Sequence, residues 1–437
     1  DITYVAILKN YGLSADKTIA KPPNYDPENY QCTCKELCND PDFKVADCKT
    51  MLNYGRLPNN KFMINWPING NDFYLNVTEL DHKERKKALQ DAKNFTLGWI
   101  YHIQTKADQK NLGLADDEFP TPDLLPFIPY IRESRRLKGV VSLTVNDIID
   151  PYNAKTKNIY QTGIAVGDYP LDHHHFKAPK PVVEDYPKIP AFNVPYGCLV
   201  PKVMNGLIVA EKSISVTHIV NGCTRLQPVV MQIGQAAGAA AAICIKEKTQ
   251  PRDVNIRQLQ QKLLDAKMWL IPFLDAEPKD WAFQSMQRIG LCGLMKGECV
   301  PREWANEMWF HAEKNVTFQD ALEALRVALE FKNSPPRKNK NAKNKEISRA
   351  EAVKIIWTAI GKPQESTLRQ YFNDVPKDHF AYEAIQYFNK QGWLKQLKEV
   401  FNFLPKKKIK RFEFAYLLDC TLNPFENHPV DIIPKSE

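Results

Sequence analysis

Hydrophobic and polar residues follow several different periods along the chain, and each period predicts a type of element. Residues 2–8, 62–66, 72–77 and 207–210 form short apolar runs of the kind found in β-strands, and residues 140–145 alternate as in a half-buried strand. From residue 88 to residue 103, apolar side chains recur at helical spacing behind a capping-box-like phrase at residues 78–81. The first 270 residues are therefore predicted to mix strands and helices.

Residues 205–246 form the most informative stretch. The predicted strand at 207–210 leads into a polar segment, from Thr217 to Arg225, that we expect to be a loop, and then into a helix rich in Gly and Ala. A helix N-terminus suits a phosphate or an electron-rich ring, and small residues allow a ligand to approach the backbone closely. A buried helix packed on a sheet explains the same composition. A membrane span is disfavoured because Gln232 and Gln235 interrupt the apolar run.

The chain beyond residue 271 contains an internal repeat. The phrase at residues 273–282 recurs at 372–381, and each copy precedes a predicted helix and a glycine turn, at Gly293 and Gly392. A second phrase, typical of a helix start, occurs at residues 316–321, 347–352 and 409–414. Because repeated helical units bury their apolar faces against one another, residues 272–437 are predicted to form an α-helical repeat domain.

Composition and charge give only limited information about the class of protein. The 437 residues carry a net charge of +8, with basic runs at residues 83–87, 337–345 and 406–411. These runs favour solvated faces or linkers, because no nucleic-acid-binding motif accompanies them. No signal peptide or transmembrane segment is recognised, and the sequence begins at Asp1 and not at Met. We therefore expect a mature or excised product.

Four of the ten cysteines crowd into one segment, at Cys32, Cys34, Cys38 and Cys48. Such a cluster is typical either of disulfides in an exported protein or of a thiolate metal site. The spacing fits the paired C-x₂₋₄-C pattern of structural zinc poorly. Disulfides or free thiols are therefore favoured, and their connectivity stays open.

Two further segments contain candidate catalytic side chains. Arg132, Glu133 and Arg135 lie within residues 131–136, and arginine forks bind carboxylates and phosphates in pairs. A salt-bridged surface strand is the simpler interpretation of that segment. The consecutive histidines at 173–175 could exchange a proton near neutral pH, although a surface loop is again simpler. Consecutive side chains on a strand point to alternate faces, so a metal site is the third choice and no metal is predicted.

Several phrases occur in order across residues 1–265: TYVAILKNYG, NYGRLPNNKFMINWP, GLADDEFP, PYIRESRRLKG, GIAVGDYPLDHHH, VPYGCLVPK and GLIVAEKSISVTHIVNGCTRLQP. Together they resemble the C-terminal part of a bacterial FAD-dependent oxidoreductase family, often labelled xanthan-lyase-related. The resemblance implies an α/β fold of the two-domain flavoprotein type with a mixed sheet. Residues 1–200 would be the substrate domain, and residues 201–271 would return to the FAD-binding domain.

The same resemblance implies an enzyme that uses FAD and oxidises an alcohol or sugar-type substrate by hydride transfer to flavin. A histidine would take the substrate proton, and an arginine would orient the substrate. The implied cofactor-binding residues are Gly222, Thr224, Arg225, Leu226, Gln227, Gln232, Gly234 and Gln235. The implied catalytic residues are His173, His174, His175, Arg132, Glu133 and Arg135.

The dinucleotide fingerprint G-x-G-x-x-G is absent from all 437 residues. In the resembled family it lies upstream, so an N-terminal FAD-binding segment or a companion chain is expected as a partner. Residues 372–376 and 348–351 also resemble S-layer homology repeats, a family that binds cell-wall polysaccharide. This leaves a non-catalytic envelope or glycan-binding protein as the alternative function, and a metal hydrolase as the third. A secreted, periplasmic or cell-surface location is expected.

Overall fold

The computed structural model describes residues 1–66, 69–152, 158–172, 186–302, 304–330, 345–365 and 369–434. It contains two compact units. The first comprises Asp1–Arg135, and the second comprises Arg136–Asp172 and the chain from Tyr186 onward. The domain boundaries predicted near residues 200 and 271 both fall within the second unit, and the assignment of those regions to separate functions stays a prediction.

The first unit is built on two small antiparallel sheets. One has the strand order β3-β4-β2-β6 and the other the order β5-β1-β7. Their registers are set by pairs such as Ala6 with Ile64, and Ile2 with Phe73. The strands are β1 Ile2–Thr3, β2 Ala6–Asn10, β3 Arg56–Leu57, β4 Lys61–Ile64, β5 Asp72–Phe73, β6 Leu112–Leu114 and β7 Tyr130–Ile131. The runs predicted as single strands at 2–8 and 72–77 are thus broken or shorter than expected.

Two helices complete this unit, α1 at Cys48–Tyr54 and α2 at His82–Lys106. The helical periodicity of residues 88–103 is confirmed by α2, but its capping box lies three residues later than predicted. Asp81 accepts from the Glu84 amide, and Glu84 accepts from the Asp81 amide. The inner side of α2 is buried, and its Trp99 packs edge to face on Trp66 with ring centroids 4.6 Å apart.

The cysteine cluster forms two disulfides, Cys32–Cys38 and Cys34–Cys48. A disulfide sulfur is not a thiolate ligand, which decides between the two interpretations of this cluster. The enclosed Thr33 is fully buried, and its hydroxyl accepts from the Trp99 indole at 2.8 Å. The bridges therefore hold an irregular segment against α2.

The second unit surrounds a continuous apolar core that extends from Val141 to Leu422. The strands β8 and β9 pair antiparallel, as do β10 and β11. The strands are β8 Gly163–Gly167, β9 Phe192–Pro195, β10 Glu298–Val300 and β11 Glu307–Trp309. The helices are α3 Val145–Ile148, α4 His218–Thr224, α5 Gln227–Glu247, α6 Ile256–Asp265, α7 Phe283–Leu291, α8 Phe318–Glu330, α9 Arg349–Ala359, α10 Tyr382–Lys390, α11 Arg411–Leu422 and α12 Pro424–Asn427.

Two predictions for the central stretch are wrong. Residues 207–210 form no strand and lead into a short 3₁₀ turn at Glu211–Ser213, because no neighbouring strand pairs with them. The polar segment expected to be a loop is largely helical, since α4 occupies His218–Thr224 with Thr217 and Arg225 as its caps. The alternating residues 140–145 make only single bridges, such as Leu143 with Val216, and not a regular strand.

The Gly/Ala-rich helix α5 has one buried and one exposed side. Val229, Ile233 and Ala240 lie in the core, where α5 packs on β8, whereas Met231 and Gly238 are exposed. Among the described residues, α5 is also the one helix long and apolar enough to cross a membrane. Because core helices of soluble proteins meet the same criterion, this is weak evidence for a span.

The two copies of the phrase found at 273–282 and 372–381 make matching hydrogen bonds. The carboxylate of Asp275 accepts from the amides of Phe310 and Ala312. The carboxylate of Asp374, 99 positions later, accepts from the amides of Phe403 and Leu404. Each aspartate therefore fixes the chain that returns towards the next helix.

The three helix-start phrases meet at their first residues. The amide of Val316 donates to Ile409, that of Ile409 donates to Ile347, and that of Ile347 donates to Val316. These three backbone bonds close a ring from which α8, α9 and α11 begin. The arginine of the second phrase, Arg349, is 5 % exposed and pairs with Glu413 of the third phrase at 2.5 Å.

Candidate functional site

The junction between α4 and α5 contains most of the predicted cofactor-binding residues. Arg225 caps α4, is 7 % exposed, and donates to the Asp172 carboxylate at 2.6 Å. Asp172 directly precedes the histidine run in the sequence. The ion pair therefore holds Asp172 beside the predicted cofactor-binding phrase, and His173, His174 and His175 lie outside the described residues.

Gly222 is where α4 and Asp172 approach most closely. A Cβ at position 222 would lie 1.7 Å from the backbone oxygen of Asp172, so any larger residue would force the two segments apart. The neighbouring Thr224 is buried and bonds within its own helix, to the Val220 carbonyl at 3.1 Å. Gly222 and Thr224 therefore shape the junction by packing, and their role towards a cofactor stays a prediction.

The N-terminus of α5 follows directly after Arg225. Leu226 is its N-cap residue, no side chain caps the helix, and Gln227 is exposed in the first turn. The uncapped amides and the helix dipole give this end a partial positive charge, which attracts an electron-rich group. This feature was expected from the sequence, although the residues before it were not expected to be helical.

The remaining predicted cofactor residues occupy two different sides of α5. The amide of Gln232 accepts from the Val166 backbone amide at 3.1 Å, so this side chain anchors α5 to β8. Gly234 and Gln235 are exposed on the outer side, and a Cβ at Gly234 would meet no atom within 4 Å. Only the residues on the outer side are accessible to a ligand.

The predicted catalytic arginines belong to the first unit. Arg132 is 2 % exposed, pairs with Asp72, and also donates to Thr3 and to Asn65. The buried guanidinium therefore links β1, β5 and the segment after β4. Arg135 is exposed and lies 2.9 Å from Glu79, and Glu133 is half-buried. Their role towards a substrate stays a prediction.

Two further polar residues of α4, which the sequence prediction did not select, are notable in this junction. Asn221 is fully buried, and among the residues that the structure describes neither its side-chain nitrogen nor its side-chain oxygen has a hydrogen-bond partner. One turn earlier, the buried hydroxyl of Thr217 also has none. The sequence did contain a signal for this pair: Thr217 and Asn221 are four positions apart, the spacing that puts two side chains on the same side of a helix.

Burial controls the ionisation of the thiol in this helix. It raises the pKa of Cys223 well above the usual value, so the thiol stays neutral at physiological pH. The thiol also donates to the Val220 carbonyl within α4. Because a nucleophilic cysteine must be a thiolate, Cys223 is a packing residue.

A separate cavity of about 440 Å³ lies in the C-terminal part of the second unit. Its aromatic walls are Trp281, Trp309 and Phe412, and carboxylates of Asp280 and Glu313 are at its margin. The Trp281 side chain is 45 % exposed and is held by edge-to-face contacts with Phe412 and Tyr416. Exposed, fixed indoles beside carboxylates are suited to binding a sugar ring or an organic cation.

These features define a mixed α/β protein with a polar junction at the start of a Gly/Ala-rich helix. The family model of the FAD dependent oxidoreductases matches residues 6–263, which is more than half of the chain. The chain belongs to this family, and it is therefore an FAD-dependent oxidoreductase with FAD as its cofactor. No curated protein matches the chain.

The residues at the α4–α5 junction fit such a cofactor. Asn221 and Thr217 offer unused donors and acceptors, Arg225 supplies a guanidinium, and the N-terminus of α5 supplies a partial positive charge. The pyrimidine ring of flavin carries two carbonyl acceptors and an N–H donor, and it gains negative charge on reduction, so hydrogen-bonding groups and positive charge suit it. The fit concerns the ring end of FAD, because the glycine fingerprint that holds a pyrophosphate is absent from these 437 residues.

Proposed function

We propose that this chain oxidises an alcohol or sugar-type substrate by hydride transfer to FAD. The observation that supports the proposal is the Arg225–Asp172 ion pair, which ties the predicted cofactor-binding phrase to the residue that directly precedes His173 in the sequence. A histidine beside a flavin-binding segment is suited to taking a hydroxyl proton, because its pKa lies near neutral pH.

The chemistry is divided between the cofactor and the side chains. Bound FAD supplies the hydride acceptor. A residue of the run His173, His174 and His175 takes the proton from the substrate hydroxyl. The exposed Arg135 and the half-buried Glu133 orient the substrate, and the buried Arg132 supports the backbone that carries them.

The ADP half of FAD requires a further set of residues. No G-x-G-x-x-G phrase occurs in the 437 residues, and this phrase is what brings a pyrophosphate to a helix N-terminus. We infer that an N-terminal FAD-binding segment or a companion chain completes the site. The two disulfides support folding in an oxidising compartment, and hence a secreted, periplasmic or cell-surface location.

The experiment is a flavin titration of the purified chain, monitored by visible absorption, together with a denaturing gel of material isolated from its natural source. Arg225→Met should lower flavin affinity at least about tenfold, since it removes a charged contact of the kind that contributes more than 1.4 kcal/mol. Arg252→Met is the matched control, because Arg252 contacts only the backbone oxygens of Pro201 and Met204. Flavin binding that is equal in both variants would contradict the assignment.

The histidine assignment is tested separately by stopped-flow reduction of the bound flavin with a panel of sugars and alcohols. His173→Gln, His174→Gln and His175→Gln are compared with the parent protein. One of the three should slow flavin reduction about 10²-fold or more and shift its pH profile, while the flavin spectrum is unchanged. Reduction that is unaffected in all three variants would exclude the run as the base.

A second function, glycan binding by the C-terminal repeats, is favoured by one observation. The cavity beside Trp281 has the indole platform and the carboxylates that sugar-binding sites use. The arginine of the Ser-Arg-Ala-Glu phrase, Arg349, is in contrast buried and paired with Glu413. We therefore place any glycan at Trp281 and not at the phrase that carries the resemblance to S-layer homology repeats.

This second function is tested by sedimenting the protein with purified cell-envelope polysaccharide. Trp281→Ala should abolish co-sedimentation, since the indole is both exposed and rigid. Trp304→Ala is the control, because Trp304 is 61 % exposed and is not among the residues that line the cavity. Equal sedimentation of both variants would exclude the cavity.

A further inference from the structure

Helix α4 presents polar side chains to a buried environment without giving them partners. Asn221 is 0 % exposed, and its carboxamide makes no hydrogen bond in either direction. A buried amide without partners is strongly unfavourable, and such groups are rare in native proteins. The arrangement is therefore expected to be satisfied by something other than the described protein atoms.

Thr217 adds an independent indication. It occupies the N-cap position of α4, where a threonine hydroxyl usually accepts from an amide of the first turn. Here the side chain makes no capping bond, although its backbone amide is fixed on the Leu143 carbonyl at 3.0 Å. The buried Thr217 hydroxyl thus joins Asn221, one turn away on the same side of the helix, in a strip of unused donors and acceptors.

The chemistry of this strip is specific. A carboxamide offers one acceptor and two donors in a plane, and a hydroxyl offers one donor and two lone pairs. The pyrimidine edge of flavin presents an N–H donor between two carbonyl acceptors, so it pairs with a carboxamide through two parallel hydrogen bonds. The pyrophosphate of a dinucleotide, in contrast, is fully ionised at neutral pH, carries no donor, and would leave the Asn221 oxygen unsatisfied.

We propose that Asn221, supported by Thr217, binds the N3–H and carbonyl edge of the flavin ring. The inference rests on the proposed function only in that it takes the ligand to be flavin. It predicts that the ring is recognised by this chain independently of the ADP half, for which the glycine fingerprint is missing. The inference also predicts that the unsatisfied Asn221 side chain lowers the stability of the ligand-free protein.

The test combines binding and stability on the full chain. The binding probe is lumiflavin, a flavin ring without ribityl or ADP, followed by its fluorescence. Asn221→Leu should weaken lumiflavin binding about 10-fold to 100-fold, and 3-methyllumiflavin, which lacks the N3–H, should bind the parent protein equally weakly. Asn221→Ala provides a smaller replacement in case leucine does not fit.

The stability arm uses ligand-free protein. Asn221→Leu should leave the melting temperature unchanged or raise it by a few degrees, because an unsatisfied amide is removed. The matched control is Asn193→Leu, which should lower the melting temperature, since the Asn193 amide donates to the carbonyls of Tyr160 and Leu270. If Asn221→Leu is as harmful as the control, Asn221 has a protein or water partner and the inference is wrong.

The binding outcomes separate this inference from the proposed function. If lumiflavin binds but neither Asn221→Leu nor N3-methylation matters, the inference fails and flavin binding stands. If adenosine competes with lumiflavin and loses affinity in Asn221→Leu, the strip recognises adenine and the inference is also overturned. If neither lumiflavin nor FAD binds the parent protein at any concentration, both proposals fail for this chain.

Discussion

The buried ion pair between Arg349 and Glu413 allows a quantitative prediction about the C-terminal helices. Both side chains are 6 % exposed, and the Nη2 to Oε1 distance is 2.5 Å. Arg349 also donates to the carbonyls of Leu397 and Phe403. Arg349→Met removes the cation and leaves a buried carboxylate and two carbonyls without this donor.

Removing one partner of a buried ion pair costs about 3–5 kcal/mol, mostly because the other charge stays buried. Since each kcal/mol lowers the melting temperature by about 2–4 °C in a domain of roughly this size, the unit should melt roughly 6–20 °C lower. Calorimetry is the direct assay. In Arg349→Met/Glu413→Leu, the loss should be smaller than the sum of the single losses by about 1–3 kcal/mol.

The matched control is Arg326→Met on α8. Arg326 lies 2.7 Å from Glu323, but this pair is at the surface, and such pairs contribute about 0–1 kcal/mol. If Arg349→Met changes stability no more than the control, burial of the pair has no energetic consequence and the reasoning is refuted. The reasoning is also refuted if the loss of stability in the double variant equals the sum of the losses in the two single variants.

Three other predictions concern the first unit and the junction. Burial lowers the pKa of His102 to about 4, so its stabilising effect is complete above the unfolded value of 6.5 and is lost as the pH falls towards 4. The free energy of unfolding, measured with denaturant, should therefore be lower at pH 5 than at pH 7. The difference is part of a maximum loss of about 3 kcal/mol, and His102→Gln should weaken this pH dependence. Replacing Cys34 and Cys48 by alanine opens a bridge with a sequence separation of 14 and should cost about 3 kcal/mol, measured in the same way; no change on replacement would mean that the bridge is not formed in solution. Gly222→Ala should displace Asp172 and weaken flavin binding at least about tenfold, and unchanged affinity would show that the close contact is not needed.

Local patterns in the sequence predicted several features well. The helical period of residues 88–103 is present in α2, and the crowded cysteines are bridged. The repeated phrases at Asp275 and Asp374 make the same hydrogen bonds. The ordered phrases of the first 265 residues indicated the family that the comparison then showed. Each of these signals is either a pattern within a short segment or the repetition of a short segment.

The two errors in the central stretch involve partners that are distant in the sequence, whereas the capping box before α2 was misplaced by only three residues. Residues 207–210 are apolar enough for a strand, but a strand exists only where another strand pairs with it. Conversely, Thr, Asn and Gly favour a loop at 217–224, yet burial of Val220 and Cys223 in the core stabilises a helix there. Tertiary packing outweighs local propensity, which contributes less than 1 kcal/mol per residue for all residues but Gly and Pro.

The candidate site divides in the same way. The sequence alone proposed Arg225, Gly222 and the histidine run as candidates, because the chemistry of a residue type can be read without a structure. Their roles towards FAD stay predictions. Only the tertiary structure could show that Arg225 pairs with Asp172 across 53 positions, that Arg132 is committed to Asp72, and that Asn221 is buried without a partner. Which polar group is satisfied depends on what the fold brings within about 3 Å of it, and no local pattern encodes that distance.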